Sequence, residues 1–248
     1  MNTKLEAVFF NDVNSSRSKQ MLFAGMFPFF TLFALGIDSV GFKENCFDGR
    51  QLTNVLAIIY FFFFFFFSDA YLRKLMFVMV FLSYIGELIF CKLLDMYQYR
   101  TAAIPLYVPF GHAIVYASGY VYAHTKWAVS NDTVLKKYFA IAFALLFVSV
   151  GIFLNDQFSL IFGVFFFLLL KRKRWQSVYY FIAVCVIFIE LAGTYFQCWK
   201  WVPKTFGLIA AVNPPMGAVF FYAGGDVLLV KIAAFWESKK TNALLIKK

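Results

Sequence analysis

The sequence predicts an all-α polytopic membrane protein with about eight transmembrane helices. The chain has 248 residues, of which 62% are apolar and only 15% charged. Apolar runs long enough to cross a bilayer recur along its whole length. The net charge is +10, but most basic residues fall in short loops between these runs, where cytoplasmic Lys and Arg belong. We therefore predict no nucleic-acid partner.

The chain opens on a polar stretch, residues 1–20, followed by the apolar run Met21–Ile37. No small-x-small cleavage pattern follows the run, so we predict a retained first span rather than a signal peptide. A span needs roughly 20 apolar residues, and shorter runs are tolerated where flanking side chains snorkel. The predicted spans are 21–38, 53–70, 75–94, 104–123, 138–154, 158–170, 177–195 and 207–236.

The distribution of basic residues orients these spans. With the N-terminus in the cytoplasm, 16 of the 23 Lys and Arg residues fall on the inner side and 5 on the outer side. Positive residues concentrate in cytoplasmic loops. Both termini are therefore predicted to be cytoplasmic, and the basic run at 171–174 is interpreted as a topology anchor.

Two stretches of the chain resemble each other. Pro109–Tyr120 and Pro215–Asp226 share Pro, Gly, Tyr, Ala and Gly in register. Each follows an intramembrane glutamate, Glu87 in the first case and Glu190 in the second. Because ionisable residues inside a bilayer are costly, such a duplicated pair suggests two half-bundles that face one central site.

The repeat divides the chain. A cytoplasmic segment, 1–20, precedes a first four-helix half, 21–123, and a cytoplasmic linker, 124–137, leads to a second half, 138–236. The basic tail 237–248 is again cytoplasmic. With four spans each, both halves begin on the same side of the membrane. This predicts a parallel repeat about an axis along the membrane normal.

Glu87, His112 and Glu190 are the candidate catalytic residues. On the predicted topology they lie in the outer half of the membrane, and a buried carboxyl suits a general acid or proton carrier. The alternative is structural, because the same side chains could join helices by hydrogen bonds. A metal would need carboxylates as its other ligands, since the chain has only 2 histidines. We predict neither a metal nor a cofactor.

Residues around this trio are candidates for substrate binding. Two aromatic external loops and a proline-kinked eighth span could surround a cavity, although interfacial Trp and Tyr also form ordinary membrane belts. Arg100 and Lys200 would then meet an anionic head group, and Asp226 could extend a proton path. The predicted binding residues are Tyr99, Arg100, Tyr116, Trp199, Trp201, Asn213, Tyr222 and Asp226.

Three hypotheses for function follow. The first is a small intramembrane enzyme that performs acid–base chemistry on a lipid or isoprenoid taken from the outer leaflet, since such chemistry needs little more than a positioned acid in a dry cavity. The second is a proton-coupled carrier or exporter. The third is a non-catalytic scaffold or assembly factor. Membrane lipids are the expected partners, a homo-oligomer is compatible with each hypothesis, and the default location is the cell membrane, as in a bacterial inner membrane.

The four cysteines do not form a disulfide framework. Cys46 and Cys198 both fall in predicted external loops. They could bridge in an oxidising compartment or remain two unpaired thiols, and the sequence leaves both alternatives open.

Overall fold

The chain is about 78% helical in a computed structural model. The structure describes the backbone of residues 3–101, 103–171, 173 and 176–246, and the side chains of residues 17–101, 103–171, 173 and 176–236. The helices are α1 (Thr3–Ile37), α2 (Val40–Asn45), α3 (Arg50–Phe67), α4 (Ala70–Glu87), α5 (Tyr107–Ala123), α6 (Lys126–Ser130), α7 (Asp132–Phe153), α8 (Gln157–Lys171), α9 (Gln176–Tyr195) and α10 (Val219–Ile246).

A π-helical segment, a 3-10 turn and four short strands lie at one end of the helix bundle. A π-helical segment, Leu88–Leu93, continues α4, and a 3-10 turn, Met216–Ala218, leads into α10. The strands are β1 (Tyr97–Tyr99), β2 (Trp199–Trp201), β3 (Lys204–Thr205) and β4 (Ile209–Ala210). β1 pairs with β2 and β3 with β4, both antiparallel. We call the end that carries these strands the hairpin end.

Within the part of the chain that the structure describes, six helical segments are long and apolar enough to cross a membrane, which supports a membrane-embedded helical protein. The other two predicted spans fall on α5, with 17 residues, and α8, with 15. The count of eight, the parallel repeat and the cytoplasmic termini stay predictions. The six segments are Arg17–Ile37, Arg50–Phe67, Ala70–Leu93, Asp132–Phe153, Gln176–Tyr195 and Met216–Trp236.

The eighth span starts later than predicted. The expected helix covered 207–236, but residues 209–210 form β4 and the helical segment begins at Met216. The cause is local, because proline lacks an N–H and disfavours helical backbone at the residue before it. The loop therefore continues through Asn213-Pro214-Pro215, and the 3-10 turn and α10 follow it.

α5 lies at the centre of the bundle, against α1, α3, α4 and α9. Its buried face carries the small residues Ala113, Ala117 and Gly119, which let neighbouring helix backbones approach closely. The closest approach is at Gly119. A Cβ placed there would lie 2.6 Å from the Cα atom of Ile182 in α9.

We therefore expect Gly119→Ala to force α5 and α9 apart. Overpacking costs about 1–3 kcal/mol, so the melting temperature in detergent should fall by about 5 °C. Gly25→Ala is the matched control, because a Cβ at this exposed position in α1 meets nothing within 4 Å. That variant should melt at or slightly above the wild-type temperature, because alanine favours helix. Equal melting temperatures for the two variants would contradict the close α5–α9 contact.

A buried ionic cluster lies at the hairpin end. The carboxylate of Asp38, which is fully buried, accepts two hydrogen bonds from Arg50, at 3.0 and 3.1 Å, and one from Arg100 at 2.8 Å. The hydroxyl of Tyr107 donates to the same carboxylate at 2.8 Å. Arg100 also binds the more exposed Asp48, and this hydrogen bond lowers the pKa of Asp48 to about 2. The cluster ties the end of α1 to the starts of α3 and α5.

The four cysteines are free thiols. Cys46 is exposed, whereas Cys198 is buried and its Sγ lies 3.3 Å from the carbonyl oxygen of Leu35. Burial raises the pKa of the Cys198 thiol. The Cys46–Cys198 bridge that the sequence left open is therefore not formed in this structure.

Candidate functional site

A cavity of about 410 Å³ lies among α1, α3, α4, α5, α9 and α10, beneath β1 and β2. Its lining is mostly apolar, with a small set of polar side chains. Nine of the eleven residues predicted for the site line this cavity, whereas Arg100 and Asn213 do not. The nine are Glu87, Tyr99, His112, Tyr116, Glu190, Trp199, Trp201, Tyr222 and Asp226.

Glu87 lies at the junction of α4 and the π-helical segment. Its side chain is buried. The hydroxyl of Tyr99 donates to Oε2 at 2.7 Å, and Nε2 of His112 lies 3.1 Å from Oε1. Short π-helical segments occur frequently at functional sites. Here the segment directly follows Glu87, before the chain returns as β1 with Tyr99 over the carboxylate.

His112 contacts Glu87 through only one of its two ring nitrogens. Its Nδ1 makes no hydrogen bond to any residue whose side chain is described, and the imidazole lines the cavity. The ring also stacks on Tyr222, with centroids 5.0 Å apart and planes 17° from parallel. A carboxylate that orients one nitrogen of an imidazole and leaves the other available is the arrangement used in general acid–base catalysis.

Glu190 is held by three donors. Its Oε2 accepts hydrogen bonds from the indole N–H groups of Trp199, at 2.9 Å, and Trp201, at 3.0 Å. Its Oε1 accepts from the hydroxyl of Tyr222 at 2.8 Å. Alternate residues of a strand point to one face, so the Trp-Lys-Trp sequence of β2 directs both indoles at Glu190 and leaves Lys200 exposed.

Tyr222 connects the two glutamates. Its hydroxyl binds Glu190 while its ring stacks on His112, which in turn contacts Glu87. The two similar sequence stretches thus contribute one group each, His112 from α5 and Tyr222 from α10. The two glutamates and the two rings form one continuous set of contacts.

The β1–β2 pair closes the cavity at the hairpin end. Tyr97 pairs with Trp201 and Tyr99 with Trp199. Burial, and then the nearby Glu87, raises the pKa of Tyr99 well above its usual value, so its phenol stays protonated and donates to Glu87. Three of the four aromatic side chains are buried, which places them in the site rather than in an exposed interfacial belt.

Two predicted binding residues have other contacts. Arg100 belongs to the Asp38 cluster, where its guanidinium binds Asp38 and Asp48. The side-chain oxygen of Asn213 accepts a hydrogen bond from the backbone N–H of Trp201 at 2.9 Å. Arg100 therefore faces carboxylates rather than the anionic head group expected for it, and Asn213 holds β2 in place.

The sequence interpretation missed a positioning contact at the start of α10. Asp156 accepts hydrogen bonds from the backbone N–H and the hydroxyl of Ser159. The Ser159 Oγ in turn accepts from the backbone N–H of Gly217 at 2.9 Å. Burial raises the pKa of Asp156. The sequence Asp-x-x-Ser before an apolar run is a typical helix N-cap pattern, and it could have predicted the bond between Asp156 and Ser159.

Among the residues with described side chains, no three His, Cys, Asp or Glu side chains converge as a metal-binding set. No known protein family, curated protein or solved structure matches this chain. The fold and the site together define a class, namely helical membrane-embedded proteins with a mostly apolar cavity that is bordered by a carboxylate–histidine pair.

Proposed function

We propose that this protein is a small intramembrane enzyme that performs acid–base chemistry on a lipid or isoprenoid held in the cavity. One observation carries the proposal: the Glu87–His112 pair borders a mostly apolar cavity, and one imidazole nitrogen is available. A cavity of about 410 Å³ falls within the range of roughly 300–1,000 Å³ typical of small-molecule sites.

In this proposal His112 exchanges a proton with the substrate, and Glu87 orients the imidazole and balances its charge. Protonation, hydration or isomerisation of an apolar chain requires a positioned acid and the exclusion of competing water. The buried β1–β2 pair supports that exclusion. On the predicted topology the hairpin end faces the outer leaflet, from which the substrate would enter.

Glu190 has a different part in the proposed mechanism. Three of its four acceptor positions are already occupied by Trp199, Trp201 and Tyr222, so little hydrogen-bonding capacity is left for a substrate. We assign it as a positioning residue that fixes Tyr222 behind the His112 ring. This refines the earlier expectation that all three ionisable groups act directly on the substrate.

We expect His112→Gln to lower turnover strongly without unfolding the protein. Glutamine can still donate a hydrogen bond to Glu87 but cannot transfer a proton near neutral pH, so activity should fall by about 10²–10⁴-fold. His124→Gln is the matched control, because His124 is the other histidine of the chain, is exposed, and does not line the cavity.

The measurement is untargeted mass spectrometry of membrane lipids from the source organism, with its own gene copy replaced by each variant. A substrate should accumulate and its product should disappear in His112→Gln, whereas His124→Gln should match wild type. Unchanged lipids in His112→Gln, at wild-type protein levels, would contradict the enzymatic proposal.

A proton-coupled carrier is the second candidate, favoured by the presence of Asp226 one helical turn beyond Tyr222 in the same cavity. Vesicles that contain the purified protein and a trapped pH-sensitive dye distinguish the two functions. A carrier should move protons across the vesicle membrane in a Glu87-dependent manner. The proposed enzyme should leave the internal pH unchanged.

A further inference from the structure

Asp226 is a buried carboxyl group without a protein partner. The residue is 4% exposed and lines the cavity. It makes no hydrogen bond or ion pair with any residue whose side chain is described. Buried polar groups are nearly always hydrogen-bonded, because an unpaired one costs about 1–3 kcal/mol. The carboxyl of Asp226 therefore has its hydrogen-bonding capacity free for a polar group of a molecule bound in the cavity.

Helix geometry places Asp226 one turn from the Glu87–His112 pair. Tyr222 and Asp226 are four residues apart, so they share a face of α10 and lie about 6 Å apart along its axis. His112 and Tyr116 have the same spacing on α5, and all four side chains line the cavity. The cavity thus has two polar levels, one at His112 and Tyr222 and a second at Tyr116 and Asp226.

There is room for a ligand group beside the carboxyl. Gly224 and Gly225 precede Asp226 and also line the cavity, and a Cβ built at either position meets nothing within 4 Å. Side chains of ordinary size would fill this space. The two glycines therefore keep open a space next to Asp226.

The charges around the cavity restrict the chemistry of that ligand. The ionisable side chains that could carry a full charge in the lining are Glu87, Glu190, Asp226 and His112, and among the described residues no Lys or Arg lines it. An anionic head group would meet carboxylates there without a strong cationic partner, which is costly in a medium of low dielectric constant. Arg100 does not supply one, because its guanidinium is bound to Asp38 and Asp48.

We propose that Asp226 binds the polar head of the ligand, and that this head is a hydroxyl or ammonium group that donates a hydrogen bond, rather than a phosphate or carboxylate. The proposal deepens the proposed function and rests on the cavity as the substrate site. Since the Glu87–His112 pair lies about one helical turn away, the reacting bond would be close to the head group and the apolar chain would occupy the rest of the cavity.

Matched amphiphiles test this proposal. The purified protein is melted in detergent with dodecylamine, dodecanol, dodecyl phosphate or dodecanoate at equal concentration. Dodecylamine and dodecanol should raise the melting temperature by several degrees, and the two anionic compounds should not. A ligand raises the apparent stability of a protein only when it binds the folded state preferentially, and the shared chain keeps partition into micelles comparable.

Two variants link the effect to this position. Asp226→Asn should lose the dodecylamine shift, while Asp95→Asn, which alters an exposed carboxylate outside the cavity, should keep it. Gly225→Leu leaves the carboxyl in place but fills the adjacent space, so it should lose the shifts from both dodecylamine and dodecanol. Gly225→Leu keeps the test decisive if Asp226→Asn does not fold.

Four results would overturn the proposal: equal stabilisation by dodecyl phosphate, a full dodecylamine shift in Asp226→Asn, a full dodecylamine shift in Gly225→Leu, or no stabilisation by any of the four compounds. Failure of the enzymatic proposal would look different. In that case the amine and alcohol shifts would still depend on Asp226, while His112→Gln would leave the membrane lipids unchanged.

Discussion

Glu190→Gln is expected to lower the melting temperature in detergent by about 10 °C. The carboxylate of Glu190 accepts from two indole N–H groups and one phenol. An amide would turn a donor of its own toward them and leave at least one buried donor unpaired. Breaking a buried, charge-assisted set of hydrogen bonds costs about 3–5 kcal/mol, which corresponds to a shift of this size.

Tryptophan fluorescence during heating measures this effect directly, because Trp199 and Trp201 both bind Glu190. The matched control is Glu44→Gln, which makes the same substitution at an exposed position in α2 and should melt within about 1 °C of wild type. Equal melting of the two variants would show that the three contacts of Glu190 contribute little to folding.

Asp38→Asn is expected to be comparably destabilising. Asp38 is fully buried between Arg50 and Arg100, and it also accepts from Tyr107. Removing its charge leaves two guanidinium groups with less compensation than before. Breaking a buried pair by changing one partner costs about 3–5 kcal/mol, so the melting temperature should again fall by about 10 °C.

Asp48→Asn is the matched control for Asp38→Asn. Asp48 binds the same arginine, but its side chain is 43% exposed, so its contribution should stay below about 1 kcal/mol. Its pKa in the folded protein is lowered to about 2. The contribution should therefore be constant from neutral pH to about pH 4 and be lost as the pH falls toward 2. A larger effect for Asp48→Asn than for Asp38→Asn would contradict the buried cluster.

The sequence predicted every Glu, Asp and His side chain that lines the cavity, because ionisable residues are rare in a membrane. Ionisable groups within apolar runs indicated Glu87, Glu190 and His112. The similarity of Pro109–Tyr120 to Pro215–Asp226 indicated Tyr116, Tyr222 and Asp226. These signals depend only on residue type and local position. They can therefore be recognised without knowing which side chains meet in the folded protein.

Features that depend on distant contacts could not be predicted in this way. Asp38 has no local sequence signal, because its partners lie 12, 62 and 69 residues further along the chain. Arg100 resembled a head-group ligand for the same reason. The Trp-Lys-Trp sequence contacts Glu190 because β2 directs both indoles toward it, and the position of β2 depends on its pairing with the distant β1.

The start of α10 and the π-helical segment after Glu87 show a second limit. The apolar run Gly207–Val212 extended the eighth span by hydropathy, but residues 209–210 form β4 and the helix begins only after Asn213-Pro214-Pro215. The π-helical segment Leu88–Leu93 has an ordinary apolar sequence. Its backbone departs from the α-helix without any Gly or Pro to signal the change.

The central claim is that the cavity containing Glu87, His112 and Asp226 is a ligand site. The most direct test is mass spectrometry of lipids bound to the purified protein, combined with its melting temperature, for wild type, Glu87→Gln, His112→Gln and Asp226→Asn. We predict that His112→Gln and Asp226→Asn keep a melting temperature within about 3 °C of wild type, and that all three variants lose or exchange a co-purifying lipid. Variants that melt far earlier while they retain the wild-type lipids would show that these groups hold the bundle together, and would contradict the claim.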